Sequence, residues 1–207
     1  MTLLQGLDYA SVFIFGLTGA LAASRAQLDI VGFVFLACLT AVGGGTIRDV
    51  ILNRDQVFWV ADPGMILSAS LAAVLVFFTA HLLESRIRTL EWLDALALAV
   101  AVPAGVGVAM GMGQSWPIVL IMGVATGTFG GLMRDVVCNE VPLVLKKGEL
   151  YATAAFSGAL AALALAQVTE SMLVILLGCA VTTCALRAGS MFYGWCLPVY
   201  KSRPPRR

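Results

Sequence analysis

The stretch Val42-Gly43-Gly44-Gly45-Thr46-Ile47-Arg48-Asp49-Val50 places three consecutive glycines and an Arg-Asp pair at the end of an apolar run long enough to cross a bilayer. A near copy, Gly130-Gly131-Leu132-Met133-Arg134-Asp135-Val136, recurs at an offset of 86, the difference between Arg134 and Arg48. The same offset, with no gap, relates Asp8 to Asp94, Gly19 to Gly105, Thr40 to Thr126 and Asn53 to Asn139. The chain is therefore a duplicated unit. Glycine-interrupted apolar helices that carry charge are where membrane proteins handle ions or polar solutes.

Composition sets the class. Hydrophobic residues make up 60% of the chain and charged residues 12%, about half the charged share of a soluble domain. Too little polar surface remains to cover a soluble core, so the chain is an all-α integral membrane protein forming a single membrane domain over residues 1–207. The net charge of +1 gives no basis for nucleic-acid binding, because apolar runs separate the basic residues. The one basic cluster, Lys201, Arg203, Arg206 and Arg207, reads as a cytoplasmic anchor touching anionic lipid. Five cysteines form no CxxC pair and have no histidine at metal spacing, so they are expected to be small apolar core residues. The first apolar run lacks a basic region before it and reads as a retained helix.

Charges and turn residues delimit seven transmembrane helices. The first is Tyr9–Ser24, between Asp8 and Arg25, and the second is Ile30–Ile47. Asn53–Pro63 forms a polar turn, and the third helix runs from Pro63 to about Leu83. Glu84–Glu91 is a charged connector. The uncharged stretch Ala95–Met133 exceeds one span, and Gly111–Pro117 divides it into the fourth and fifth helices. Asn139–Glu149 leads to the sixth, Leu150–Thr169. The seventh runs from Ser171 to Leu186 and extends past Arg187, whose stem can snorkel to the interface.

These spans give a first three-helix repeat at residues 8–83, a second at 94–169 and an extra helix at 171–197. An odd number of crossings per copy makes the second copy enter from the opposite side, so the repeats are inverted about an axis in the membrane plane. Arg25, Arg86, Arg88, Lys146, Lys147 and the basic tail share one face, and Arg54 stands nearly alone on the other. Positive-inside reasoning puts the C-terminus in the cytoplasm and the N-terminus outside.

Glycines in sequence weaken a helix by up to about 1 kcal/mol each, so Gly43, Gly44 and Gly45, with Gly130 and Gly131 in the copy, invite a kink or an unwound turn. Carbonyls freed there, with the hydroxyls of Thr40, Thr46, Thr126 and Thr128, would offer oxygen ligands to a dehydrating cation. Close helix packing through small residues explains the same glycines, and Gly123, Gly127 and Gly131 also fit it. Adjacent helical residues point about 100° apart, so Arg48 is expected to pair with Asp135, and Arg134 with Asp49, closing a central path. An interfacial salt bridge that orients the helices is the other reading of these four charges.

His81, the sole histidine, reads as interfacial, Pro103 as a helix kink, and Met110, Met112 and Met122 as packing. Trp59, Trp92, Trp116, Trp195 and Tyr200 fit an aromatic belt. Ser-His-Asp, Walker and zinc patterns are absent, so no enzyme, no cofactor and no dedicated metal site are expected.

At GGGTIRDV and GGLMRDVVCNEVPLVL, with Asn139, Glu140 and Pro142, the sequence resembles the prokaryotic TRIC-type family, the trimeric intracellular cation channels, whose bacterial relatives are also labelled putative glycine transporters. The resemblance covers about Asp8 to Arg187. It implies a homotrimer with one ion path per protomer, lined by kinked second and fifth helices at Gly43, Gly44, Gly45, Gly130 and Gly131. Arg48, Asp49, Arg134 and Asp135 would be the charged gate or constriction. The implied activity is a passive K+-permeable conductance, with Na+ a second permeant ion, in a bacterial inner membrane among lipids. The alternative is a carrier for glycine or another small zwitterion, with Arg48 or Arg134 binding carboxylate and Asp49 or Asp135 binding ammonium.

Overall fold

The structure is a computed structural model that describes residues 2–82, 85–146 and 149–198. Leu83, Glu84, Lys147, Tyr200 and the basic tail from Lys201 to Arg207 lie outside the described residues. All regular structure among the described residues is helical: α1 Leu3–Arg25, α2 Ile30–Ile51, α3 Gly64–Thr79, α4 Arg86–Gly111, α5 Trp116–Val137, α6 Ala152–Leu165 and α7 Met172–Tyr193. A 3₁₀ turn at Ala80–Leu82 extends α3, and single turns stand at Phe58–Ala61 and Leu143–Leu145. Six helices are long and apolar enough to cross a membrane; α6 has 14 residues, a rise of about 21 Å.

Local chemistry accounts for the ends. Thr2 and Gln5 form a capping box before α1, the Asp29 carboxylate accepts from Gly32 N–H at 2.8 Å before α2, and Pro117 occupies the first turn of α5. At the C-terminal ends the duplication reaches the backbone. Gln27 and Gly113 have φ of 55° and 67°, and Asn53 and Asn139 have 50° and 54°. Each pair is one repeat offset apart, and asparagine and glycine tolerate this left-handed turn best. The turns are closed in register by Arg54 N–H to Asp49 O at 3.0 Å and by Glu140 N–H to Asp135 O at 2.8 Å.

Several boundaries differ from the expectations. Helix α4 begins at Arg86, so most of the expected Glu84–Glu91 connector is helical: the Ser85 hydroxyl accepts from Arg88 N–H at 3.4 Å and caps the new start. Helices α1 and α2 run past Ser24 and Ile47, because their terminal charges are turned inward to partners. The expected Leu150–Thr169 helix shortens to Ala152–Leu165, four residues less at its end and two at its start, where Leu150 N–H donates to Ser190 Oγ at 2.9 Å on α7. Pro103 lies buried inside α4 without ending it. Among the cysteines only Cys179 is fully buried, and Cys184 and Cys196 are exposed.

Helices α2 and α5 cross antiparallel at the centre. A Cβ on Gly44 would fall on the carbonyl oxygen of Thr126, and one on Gly130 on that of Thr40. The partner numbers fall as the glycine numbers rise, and the two contacts exchange under the repeat offset. The same exchange holds within each copy, where Gly19 meets Leu36 O and Thr40 Oγ1 and Gly105 meets Met122 O and Thr126 Oγ1. This is the two-fold relation of inverted repeats. Beyond the crossing, α2 continues to Ile51 and α5 to Val137, about 10 Å in each case. The second copy is further covered by α7, which packs on α4 and α6.

Candidate functional site

One turn past the crossing, about 6 Å along the axis, α2 presents Arg48 and Asp49 and α5 presents Arg134 and Asp135, on opposite sides of the centre. The Arg48 guanidinium is wholly buried. Its Nε donates to Asp49 Oδ1 at 2.7 Å and its Nη1 to Asp8 Oδ1 at 3.0 Å, and its plane lies 5.3 Å from the Phe58 ring centroid. Asp49 Oδ2 accepts from Phe58 N–H at 2.8 Å, and Arg54 Nη1 reaches both Asp49 oxygens at 3.2 Å. The short Phe58–Ala61 helix is tied back by Trp59 Nε1, which donates to Thr46 Oγ1 at 2.9 Å.

The second copy repeats this core. Buried Arg134 donates from Nε to Asp135 Oδ1 at 2.8 Å and from Nη1 to Asp94 Oδ1 at 2.7 Å. Asp135 Oδ2 accepts from Leu143 N–H at 2.8 Å. Asp94 Oδ2 accepts from the Tyr151 hydroxyl at 2.5 Å. Behind Tyr151, the Arg187 guanidinium sits 5.0 Å from the ring centroid, and its Nη1 is 2.7 Å from Glu149 Oε2 as an ion pair. Each triad sets two carboxylates against one guanidinium, and removal of either arginine would strand two buried carboxylates.

These contacts replace the expected cross-pairing. Arg48 does not pair with Asp135, nor Arg134 with Asp49; each arginine binds its own sequence neighbour and an aspartate of the preceding helix. The 100° between adjacent Cα–Cβ directions is overcome by the length of the arginine stem, which folds back so that Nε rather than the terminal fork meets the neighbour. Arg187 is likewise buried and paired, not snorkelled to the interface.

The expected unwound turn is also absent: α2 is helical through Gly43, Gly44 and Gly45, and α5 through Gly130 and Gly131. These glycines serve close approach. Gly44 and Gly130 let the backbones touch, Gly45 leaves room for the Phe58 ring, and Gly131 for Asp94 and the Tyr151 hydroxyl. The hydroxyls of Thr40, Thr46, Thr126 and Thr128 each donate to the carbonyl four residues earlier, at 2.6, 2.7, 2.6 and 2.9 Å. Their lone pairs stay available, and that of Thr46 receives Trp59.

Past the first triad lies a polar cleft of about 670 Å³ lined by Asn53, Arg54, Asp55, Gln56, Ala61 and Met112. Met112 is thus exposed to the cleft, whereas Met122 is core as expected.

The family described as "Glycine transporter" matches the chain twice, over residues 5–81 and 91–167, in keeping with the duplication. A UPF0126 membrane protein of Vibrio cholerae is 35% identical over 204 residues, covering 96% of this chain and 83% of that protein. YadS, a UPF0126 inner membrane protein of Escherichia coli, is 35% identical over 75% of each chain. Among solved structures, a TRIC trimeric intracellular cation channel orthologue from Rhodobacter sphaeroides superposes with a TM-score of 0.90 at 42% identity, over 94% of this chain and all of that one. The chain belongs to the prokaryotic TRIC-type family. A second structure, described for conductance through TRIC cation channels, matches at 0.85 and 26% identity over 98% of this chain and 100% of that one. The TRIC-type chain is a multi-pass membrane protein whose solved neighbours are channels and not enzymes.

Residues outside the sequence-based set complete the site. Asp8 and Asp94 were visible only as a repeated pair; their fixed spacing of 40 residues to Arg48 and Arg134 was the available signal. Arg54, Phe58, Tyr151, Glu149 and Arg187 have no counterpart across the offset that would have marked them.

Proposed function

We propose that the protein is a homotrimeric, K+-permeable cation channel that also admits Na+, with one path per protomer along the α2–α5 crossing. The observation that carries this reading is the placement of two carboxylate-rich triads one turn to either side of that crossing, in a fold shared with TRIC cation channels. Four aspartates face the two triad arginines; Arg54 balances the extra carboxylate of the first triad while it is docked, and the second triad keeps a surplus negative charge that concentrates cations. Between them the crossing is shut by backbone contact at Gly44 and Gly130. Conduction therefore requires α2 and α5 to part, which would bring the oxygens of Thr40 and Thr126, with Thr46 and Thr128 further along, into reach of the ion. Gly43, Gly45 and Gly131 give the helices freedom to bend as they separate.

The channel sits in a bacterial inner membrane, as YadS does, with the N-terminus outside and the C-terminus in the cytoplasm. The family description keeps one rival in play, a glycine carrier. That reading needs a guanidinium free to take a substrate carboxylate, and in Arg48 and Arg134 only Nη2 lacks a partner.

Recording from purified protein in planar bilayers separates the two. Unitary K+ currents in the absence of amino acid support the channel; saturable glycine counterflow in vesicles without unitary currents would replace it with the carrier.

A further inference from the structure

The repeat offset places Glu140 where the first copy has Arg54, so the charge is reversed at this position next to each triad. The two residues also turn opposite ways. Arg54 Nη1 straddles both oxygens of Asp49 at 3.2 Å. Glu140 turns away from Asp135 to Arg25, whose Nη1 and Nη2 hold its two oxygens at 3.0 and 2.9 Å. The surplus carboxylate of the first triad is therefore neutralised by Arg54, and that of the second triad has no added cation among the described residues.

We propose that Arg54 is a removable counter-charge that governs cation entry at the first triad and makes the path rectify; this rests on the channel reading. Arg54 is built to leave. Its backbone is anchored by the N–H bond to Asp49 O at 3.0 Å, so the side chain alone can swing. Its contacts are longer than the 2.7 Å bond by which Arg48 holds the same carboxylate, and its side chain is 36% exposed to the cleft. Water screens such a head, which keeps the attachment weak. Asp55, in the same cleft, offers an alternative partner. With Arg54 docked, its nitrogen occupies the place between the Asp49 oxygens that an alkali cation takes on entry. With Arg54 swung into the cleft, that place is open. Among the described residues the second mouth has no such occupant, so cations entering there meet less resistance.

The test is bilayer recording in symmetric KCl with all channels in one orientation. In the wild type, K+ current from the second mouth toward the first exceeds the reverse. Arg54→Gln brings the two directions together by raising entry at the first mouth about four-fold, the Boltzmann factor for one unit charge about 5 Å from the ion in water. Arg54→Cys, with exposed Cys184 and Cys196 replaced by serine, is then treated on the folded, reconstituted channel. A cationic methanethiosulfonate restores the asymmetry and an anionic one does not. Wild-type currents that rectify identically in both variants, before and after either reagent, would overturn the assignment of Arg54 alone. A wild-type protein that passes no K+ current would overturn the channel reading and this inference with it.

Discussion

The two guanidinium triads share the bonds that the duplication copied and differ in what covers the remaining carboxylate. In the first, Asp49 is covered by a half-exposed arginine at the edge of an open polar cleft. In the second, Asp94 is covered by the hydroxyl of Tyr151, which is itself buried beneath Arg187 and α7. One triad is covered by a charge that solvent can compete for, the other by a neutral donor locked into packing. Two halves with a common scaffold have thus been given different tasks: the first exchanges with its surroundings and the second is held.

If the second triad is the more firmly held, its loss should cost more. Arg134→Met should destabilise the protein by about 3–5 kcal/mol, and Arg48→Met by clearly less, because Arg54 remains on Asp49. Thermal unfolding of both variants in detergent measures this, and an equal loss would erase the distinction. Pairing Arg48→Asp with Asp135→Arg should rescue neither single change, since the triads do not touch across the centre.

The crossing, by contrast, should treat the two copies alike. Gly44→Ala and Gly130→Ala each push a methyl into a backbone carbonyl that cannot swing aside, and both should cost about 3 kcal/mol, the upper part of the range for overpacking. Gly111→Ala, with nothing within 4 Å of the added carbon, should stay within about 0.5 kcal/mol. Unequal effects at Gly44 and Gly130, read by the same unfolding assay, would show that the two-fold contact is not shared evenly.

Smaller effects sharpen the contrast at the covers. Tyr151→Phe removes a hydrogen bond to a buried carboxylate and should cost about 2 kcal/mol. Arg54→Gln should change stability by about 1 kcal/mol or less, although on the proposed reading it changes entry of ions. An Arg54 variant that unfolds as readily as the Tyr151 variant would mean that the first cover is structural after all.

Much of this was legible in the residues. The constant offset exposed the inverted architecture, and it carried information down to single backbone angles, as Asn53 and Asn139 show. It also marked Gly44, Gly130, Arg48 and Arg134 as the centre. What it did not disclose was the use made of them. A glycine that permits bending and one that permits contact look identical until the facing atom is known, and that atom, the carbonyl of Thr126 or Thr40, lies more than eighty residues away. The arginine partners were misjudged for a different reason. Cβ directions govern short side chains, but arginine is long enough to double back on its neighbour. Tyr151 was missed, and Arg187 read as interfacial, because the duplication pairs neither with a charged residue.

The early ending of α2 and α5, about 10 Å beyond their contact point, has an electrical consequence. On the proposed path, water following these loops inward from both sides would leave an insulating layer about 20 Å thick, against about 30 Å for a bilayer core. A membrane voltage then falls across two-thirds of the usual distance, and the field on a permeating charge is about half as strong again. At either triad, an ion on the proposed path would have traversed roughly a fifth of that drop.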